Sequence, residues 1–203
     1  MYQDESTSLA EKEACLEELE FFVQIIDNAN DLNHPSVNAL KPLLDGLKNP
    51  QPTLRALCAF ALGTALQNNP KVQIQVVQMN GLSELLAGFR AELSNPNYYS
   101  LFIFSKLLYA LISLLDQNPK IQKEFRDASG FNLLHEIMSK PASFFDFPKP
   151  ASTAEVKSED NEDEEKPTEP GTLEVVDIVD RVKKTSKKHR ELGNSKSNDN
   201  ILI

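Results

Sequence analysis

Displaced by 49 residues, the sequence falls on itself. AFALGTALQNNPKVQ (59–73) lies over LYALISLLDQNPKIQ (108–122), with Ala61 on Ala110, Leu62 on Leu111, Leu66 on Leu115 and Asn69-Pro70-Lys71 on Asn118-Pro119-Lys120. The same displacement puts Gly81 on Gly130 and Leu85 on Leu134, and one of 42 residues lays ALKPLLDGL (39–47) over GLSELLAGF (81–89), so that a third copy begins near Leu16. A period of roughly 20 to 50 residues constrains the fold more tightly than composition does. One such unit cannot bury its own apolar face and gains stability only by stacking on its neighbours.

Each unit reads as three helices. In the middle copy Pro52 stands where a first-turn proline is tolerated, and 53–67 places Leu54, Leu57, Cys58, Ala61, Leu62 and Ala65 at i, i+3, i+4, i+7 spacing. The helix stops at Asn68-Asn69-Pro70, because the residue before a proline is pushed out of the helical region, and Pro70 opens a second helix over 71–79. Gly81 is expected to supply a left-handed cap after Asn80, and 82–89 forms a third helix before the turn Ser94-Asn95-Pro96-Asn97. The next unit begins with a helix over 98–116. The expected fold is all-α: a curved solenoid of about three repeats that presents a concave surface and has no obvious pocket.

Composition divides the chain near Lys140. Residues 1–140 hold 11 Lys or Arg and 16 Asp or Glu and are dense in apolar residues at helical spacing; 141–203 hold 10 and 14 and are poor in them. The first part can build a core and is read as the repeat domain. The second is expected to be a disordered linker and tail, since it buries too little to offset the entropy of ordering. Its charge is in blocks: 155–180 carries 11 acidic residues and two lysines, whereas 181–190 carries six basic residues and no acidic one. Phe144, Phe145 and Phe147 read either as a docking motif or as a strap over the last repeat. Val175, Ile178, Val179 and Val182 recur at helical spacing, and Ser158 stands before Glu159, Asp160 and Glu162 as a candidate acid-directed phosphosite.

Several function classes are excluded on the same page. A net charge of −9 argues against a protein that coats phosphate backbones, so no nucleic-acid partner is expected. With 7 Gly against 12 Pro, and Gly81 and Gly130 in no phosphate-cradling pattern, no nucleotide or other cofactor is expected to bind directly. His34, His135 and His189 have no cysteine or carboxylate at ligand spacing, so no metal, no catalytic constellation and hence no enzyme are expected. Cys15 and Cys58 read as small buried hydrophobes in a reducing compartment. The apolar stretch 101–115 is broken by Ser105, Lys106 and Ser113 and is too short for a bilayer, and the N-terminus is acidic where a secretory signal is basic. The expected location is cytoplasmic and the expected state a monomer, with the basic run 183–190 a candidate nuclear-entry signal.

Three helices per 40-odd residues, with AFALGTALQNNPKVQIQVVQMNGLSELL as the unit, resemble the armadillo repeat, whose long third helix lines a concave groove. More narrowly, LEELEFFVQIIDNANDL (16–32), ALKPLLDGL and LRALCAFALGTALQNNPKVQ (54–73) are similar to the armadillo-type nucleotide-exchange factors of DnaK-type chaperones, the heat shock protein 70 class, in their cytosolic fungal and plant Fes-like branch. The likeness runs to about residue 138. It implies a co-chaperone that embraces one lobe of the chaperone's ATPase domain, holds the nucleotide cleft open, speeds ADP release and so regulates client release and refolding. The alternative is an armadillo scaffold or adaptor that binds another protein through its concave face without exchange activity. Family members usually carry an N-terminal arm and about four repeats, so three repeats imply a weaker grip.

In groove-type armadillo proteins a Trp and, four residues later, an Asn line the groove. Here those positions read Phe60 with Thr64 and Tyr109 with Ser113, which removes the side chains that clamp a peptide backbone. The partner-binding face is expected to carry Arg55, Phe60, Thr64, Gln67, Asn68, Ser105, Tyr109, Ser113 and Asp116. Against this stands the reading of Phe60 and Tyr109 as core between repeats, and of Asn28, Asn30, Asn68, Asn69 and Asn118 as caps and turns.

Overall fold

The computed structural model describes residues 7–148. Its described part is helical throughout, with α1 (Leu9–Val23), α2 (Ile26–Asp31), α3 (Leu40–Gly46), α4 (Pro52–Leu66), α5 (Pro70–Gln78), α6 (Gly81–Ser94), α7 (Ser100–Leu115), α8 (Pro119–Asp127), α9 (Gly130–Ser139) and a 3-10 turn, Ala142–Phe145. The long helices α1, α4 and α7 form one layer in which α4 packs on both others; α3 backs onto α4, α6 onto α7, and α9 onto α6 and α8. Counted from a long helix, the units are α1–α3, α4–α6 and α7–α9, the armadillo-like solenoid that the period of 49 requires. The readings made on the tail, from its charge blocks to Ser158 and the run 183–190, lie outside the described residues.

Local chemistry sets the helix ends. Asn69 and Asn118 are the N-caps of α5 and α8: each side-chain oxygen accepts the N–H three residues on, from Val72 and from Ile121, at 3.3 Å, and Pro70 and Pro119 follow at the first helical position. The repeat is also written in backbone angles. Asn68 and Gln117 have φ of 53° and 51°, and Asn38, Asn80 and Ser129 have φ of 45°, 60° and 59° before α3, α6 and α9. The left-handed residue is therefore Asn80 rather than the expected Gly81, and Ser129 rather than Gly130. Each glycine instead clears space for its neighbour. A Cβ on Gly81 would meet Val76, whose carbonyl oxygen would lie 2.8 Å away, and one on Gly130 would meet the Phe125 ring.

Two expected boundaries change. The helix expected over 82–89 runs on to Ser94, the start of the expected turn, with Glu92 turned inward and 3% exposed. Past α9, the turn at 142–145 brings the Phe145 ring to 5.6 Å from Phe104 of α7, edge to face. The chain thus straps back onto the third unit.

Packing explains why α4 is central. Ala56, Ala59, Ala61, Ala65 and Gly63 are buried along it, and small side chains let both neighbouring long helices come close. Leu62, Leu66, Leu85, Leu111 and Leu114, each at most 1% exposed, fill the layers between units. Each fully buried leucine contributes roughly 1.5–3 kcal/mol relative to exposure, so stacking supplies what no single unit could.

Candidate functional site

The stacking of α4 on α7 brings together five of the nine residues expected on the partner face. Phe60, Thr64, Gln67 and Asn68, from α4 and the bend after it, meet Tyr109 of α7 around a recess of about 410 Å³ that α1 and α2 complete with Glu20, Val23, Gln24, Ile26 and Ala29. The expectation of a surface without a pocket is corrected here. It missed that a glycine, Gly63, lets the Tyr109 ring lie against α4: a Cβ there would come within 2.7 Å of Tyr109 Cε1 and 3.1 Å of Ala110 Cα.

The recess has an apolar floor of buried Val23, Ala29 and Ala65 and an aromatic wall in which the Phe60 and Tyr109 centroids are 5.7 Å apart. Both rings are half-buried, each packed on the other and each partly open to solvent. Lys106 Nζ stands 4.1 Å from the Phe60 centroid, within cation–π range. A chain of polar groups crosses the rim. Thr64 Oγ1 donates to Glu20 Oε1 at 2.8 Å, Tyr109 Oη donates to Gln67 Oε1 at 3.3 Å, and the two hydroxyl oxygens are 3.4 Å apart. At the inner edge Asn69, 2% exposed, caps α5 through its oxygen while its Nδ2 has no partner among the described residues.

The remaining expected residues lie elsewhere. Arg55 turns away from the recess into a clamp, its Nε and Nη2 on Glu92 Oε1 at 2.8 and 2.7 Å and its Nη1 on the Asn49 carbonyl at 2.8 Å. Ser105, 3% exposed, donates to the Phe102 carbonyl at 2.7 Å, and Ser113 is 5% exposed. Gln73 Nε2 donates to the Ser113 and Asp116 carbonyls at 2.9 and 3.2 Å, which ties α5 to the end of α7; the Asp116 side chain is exposed. Among the described residues no group of three or more His, Cys, Asp or Glu is placed to hold a metal ion, and no helix is long and apolar enough to cross a membrane.

Sequence reasoning missed Glu20. The signal was present: Leu16, Glu20 and Val23 share a face at i, i+4, i+7, and the single charge in a stripe whose other members are buried marks where the stripe meets something polar.

The residues 28–145, from within α2 through the 3-10 turn, match the family model described as the SIL1/FES1/HPBP1 C-terminal domain. The chain is 33% identical over 142 residues to a nucleotide exchange factor SIL1 of Rattus norvegicus, covering 70% of this chain and 29% of that protein. It is 35% identical over 147 residues to the Hsp70 nucleotide exchange factor fes1 of Schizosaccharomyces pombe, covering 70% and 50%, and 28% identical over 138 residues to the Hsp70 nucleotide exchange factor FES1 of Mycosarcoma maydis, covering 68% and 33%. The chain thus spans half or less of the length of these relatives. No solved structure gives a significant match to it.

Proposed function

We propose, because the chain belongs to the SIL1/FES1/HPBP1 C-terminal domain family, that it is a co-chaperone which binds the ATPase domain of a heat shock protein 70 chaperone and promotes ADP release. The observation that carries this reading is the match over 28–145. It takes in α4 and α7, the two helices that supply Phe60, Thr64 and Tyr109 to the recess, and relatives similar over 142 and 147 residues are named nucleotide exchange factors.

The mechanism is one of differential binding. The α1–α4–α7 face holds one lobe of the ATPase domain and favours the conformation in which the nucleotide cleft is open. By linkage the factor and ADP then weaken each other's binding by the same ratio, and ATP entry releases the client. The work is done by shape, with no covalent step on this chain. We assign the activity to residues 1–140 as a repeat domain, with 141–203 a separate segment, and place it in the cytosol as a monomer.

Stopped-flow release of a fluorescent ADP analogue from a heat shock protein 70 chaperone tests this with the full chain. Faster release at rising concentration of the chain is the expected result. Binding without faster release would mean equal affinity for both chaperone states, and the chain would then be a scaffold. A second arm ends the chain after Pro148 instead of Lys140, because Phe145 packs on Phe104 and a cut at 140 would remove that contact. Acceleration by the shorter chain places the activity in the helices.

A further inference from the structure

Around Thr64, Tyr109 and Glu20 the outer rim of the recess is short of donors, while the unpartnered donor Asn69 Nδ2 lies apart from them at the inner edge. Thr64 has one hydroxyl proton, given to Glu20, and Tyr109 has one, given to Gln67, so the 3.4 Å contact between their oxygens holds no proton of its own. Among the described residues Glu20 Oε2 accepts only a long 3.4 Å contact from Gln24, and no Lys, Arg or His is ion-paired with this half-buried carboxylate. Unfilled acceptors therefore stand beside two half-open aromatic rings, one of which already carries a cation, Lys106, over its face.

Planar, donor-rich and cationic is the chemistry that answers the acceptors of this outer rim. We infer that the recess between α1, α4 and α7 takes a single arginine side chain of the partner protein, its guanidinium on Glu20 and its plane along Tyr109 and Phe60. A guanidinium offers five N–H donors in a fixed fork and stacks on aromatic faces, whereas an ammonium offers a compact, strongly hydrated point charge. The recess volume of about 410 Å³ is enough for a long side chain. One large residue in a desolvated pocket near the centre of a contact face is also how most binding energy is concentrated at protein interfaces. The inference rests on the proposed function for the identity of the partner, though the recess itself can be tested without it.

Two measurements on the full chain separate the two. The first is a titration followed by NMR, with N-acetyl-arginine amide as probe and the matching lysine and norleucine amides as controls. Shifts confined to Thr64, Tyr109 and their neighbours, saturating in the millimolar range and lost in Glu20→Gln, are expected for arginine. Equal response to either control, or none at the recess, overturns the assignment. The second is affinity for the chaperone's ATPase domain. Glu20→Gln is expected to weaken it about tenfold or more, the loss of a hydrogen bond to a charged group, and Glu17→Gln on the exposed side of α1 to leave it unchanged. An unchanged Glu20→Gln beside a wild type that binds overturns the anchor and leaves the proposed function standing. A wild type that takes the arginine probe but ignores the chaperone sinks the proposed function and keeps the anchor, for a different partner.

Discussion

Glu92 of α6 and Glu20 of α1 are both glutamates bonded to a side chain of α4, and the molecule treats them in opposite ways. Glu92 is 3% exposed and closed on every side: Arg55 fills Oε1 twice, Ser100 donates to Oε2 at 3.0 Å, and the Asn97 N–H in turn donates to Ser100 at 2.8 Å. The network ties α4, α6, the turn before α7 and, through the Asn49 carbonyl, the end of the first unit. Glu20 is half-buried, holds one good hydrogen bond from Thr64 and has no ion-paired cation among the described residues. A buried carboxylate supplied with its own guanidinium is a structural joint. One left short of a guanidinium at the rim of a recess is a socket, and the difference is visible only when partners are counted atom by atom.

The largest expected effect breaks the joint. Arg55→Ala removes the cation that, among the described residues, alone pairs with a carboxylate water barely reaches, and should cost about 3–5 kcal/mol in urea unfolding, the range for orphaning a buried charge. The double variant Arg55→Met with Glu92→Leu should recover most of that, since an apolar pair of similar volume carries no desolvation penalty. If Arg55→Ala instead costs less than about 1 kcal/mol, as exposed pairs do, the contrast with Glu20 collapses.

Next in size is Gly63→Ala. The added methyl would meet the Tyr109 ring and stand 3.1 Å from the Ala110 Cα, which is backbone and cannot swing aside. A loss of about 1–3 kcal/mol is expected from overpacking, with Tyr109 displaced from the recess. Calorimetric melting reads the first effect and Tyr109 ring resonances the second.

How far this architecture was legible in the sequence follows from what sets each part. Helix starts at Asn-Pro and the stacking of α4 on α7 were readable, because caps and apolar periods are local and the repeat states them twice. The role of Gly81 was not, since a glycine after a left-handed asparagine looks the same on the page whether it supplies the angle or the space. The end of α6 was misplaced for a related reason: inward Glu92 depends on Arg55, 37 residues away. Of the recess, Phe60, Thr64, Gln67, Asn68 and Tyr109 follow from the long-helix pattern of the second and third copies, whereas Glu20 belongs to α1 in the first copy, which lies outside the 49-residue match.

A smaller effect lies at the start of α1. Ser8 closes a capping box with Glu11: its hydroxyl and its N–H donate to Oε2 at 2.7 and 2.9 Å, and the Glu11 N–H donates back to Ser8 Oγ at 3.3 Å. The Ser8 hydroxyl, then the Ser8 backbone N–H, holds the Glu11 carboxyl below its ordinary value of 4.5. A depressed carboxylate stabilises the fold above its unfolded-state value, and the benefit fades as pH falls through the lower folded-state value. Amide exchange in the first turn of α1 should therefore quicken, beyond its intrinsic pH dependence, as pH drops through and below about 4.5, and Ser8→Ala should flatten that response while costing about 0.5–1 kcal/mol. A pH response that survives the substitution would place its origin elsewhere.

The smallest expected change in stability is the one that sharpens the comparison most. Glu20→Gln keeps the shape, and its amide oxygen still accepts the Thr64 hydroxyl, so unfolding should shift by no more than about 0.5 kcal/mol, as for a surface position with no buried pair. Arg55→Ala and Glu20→Gln each remove one charge from a contact between α4 and a neighbouring carboxylate, and an order of magnitude should separate their costs. A loss of several kcal/mol in Glu20→Gln would mean that the carboxylate already holds the units together. A stability loss near zero combined with a weakened grip on the partner would mean that the charge is held there for what docks against it.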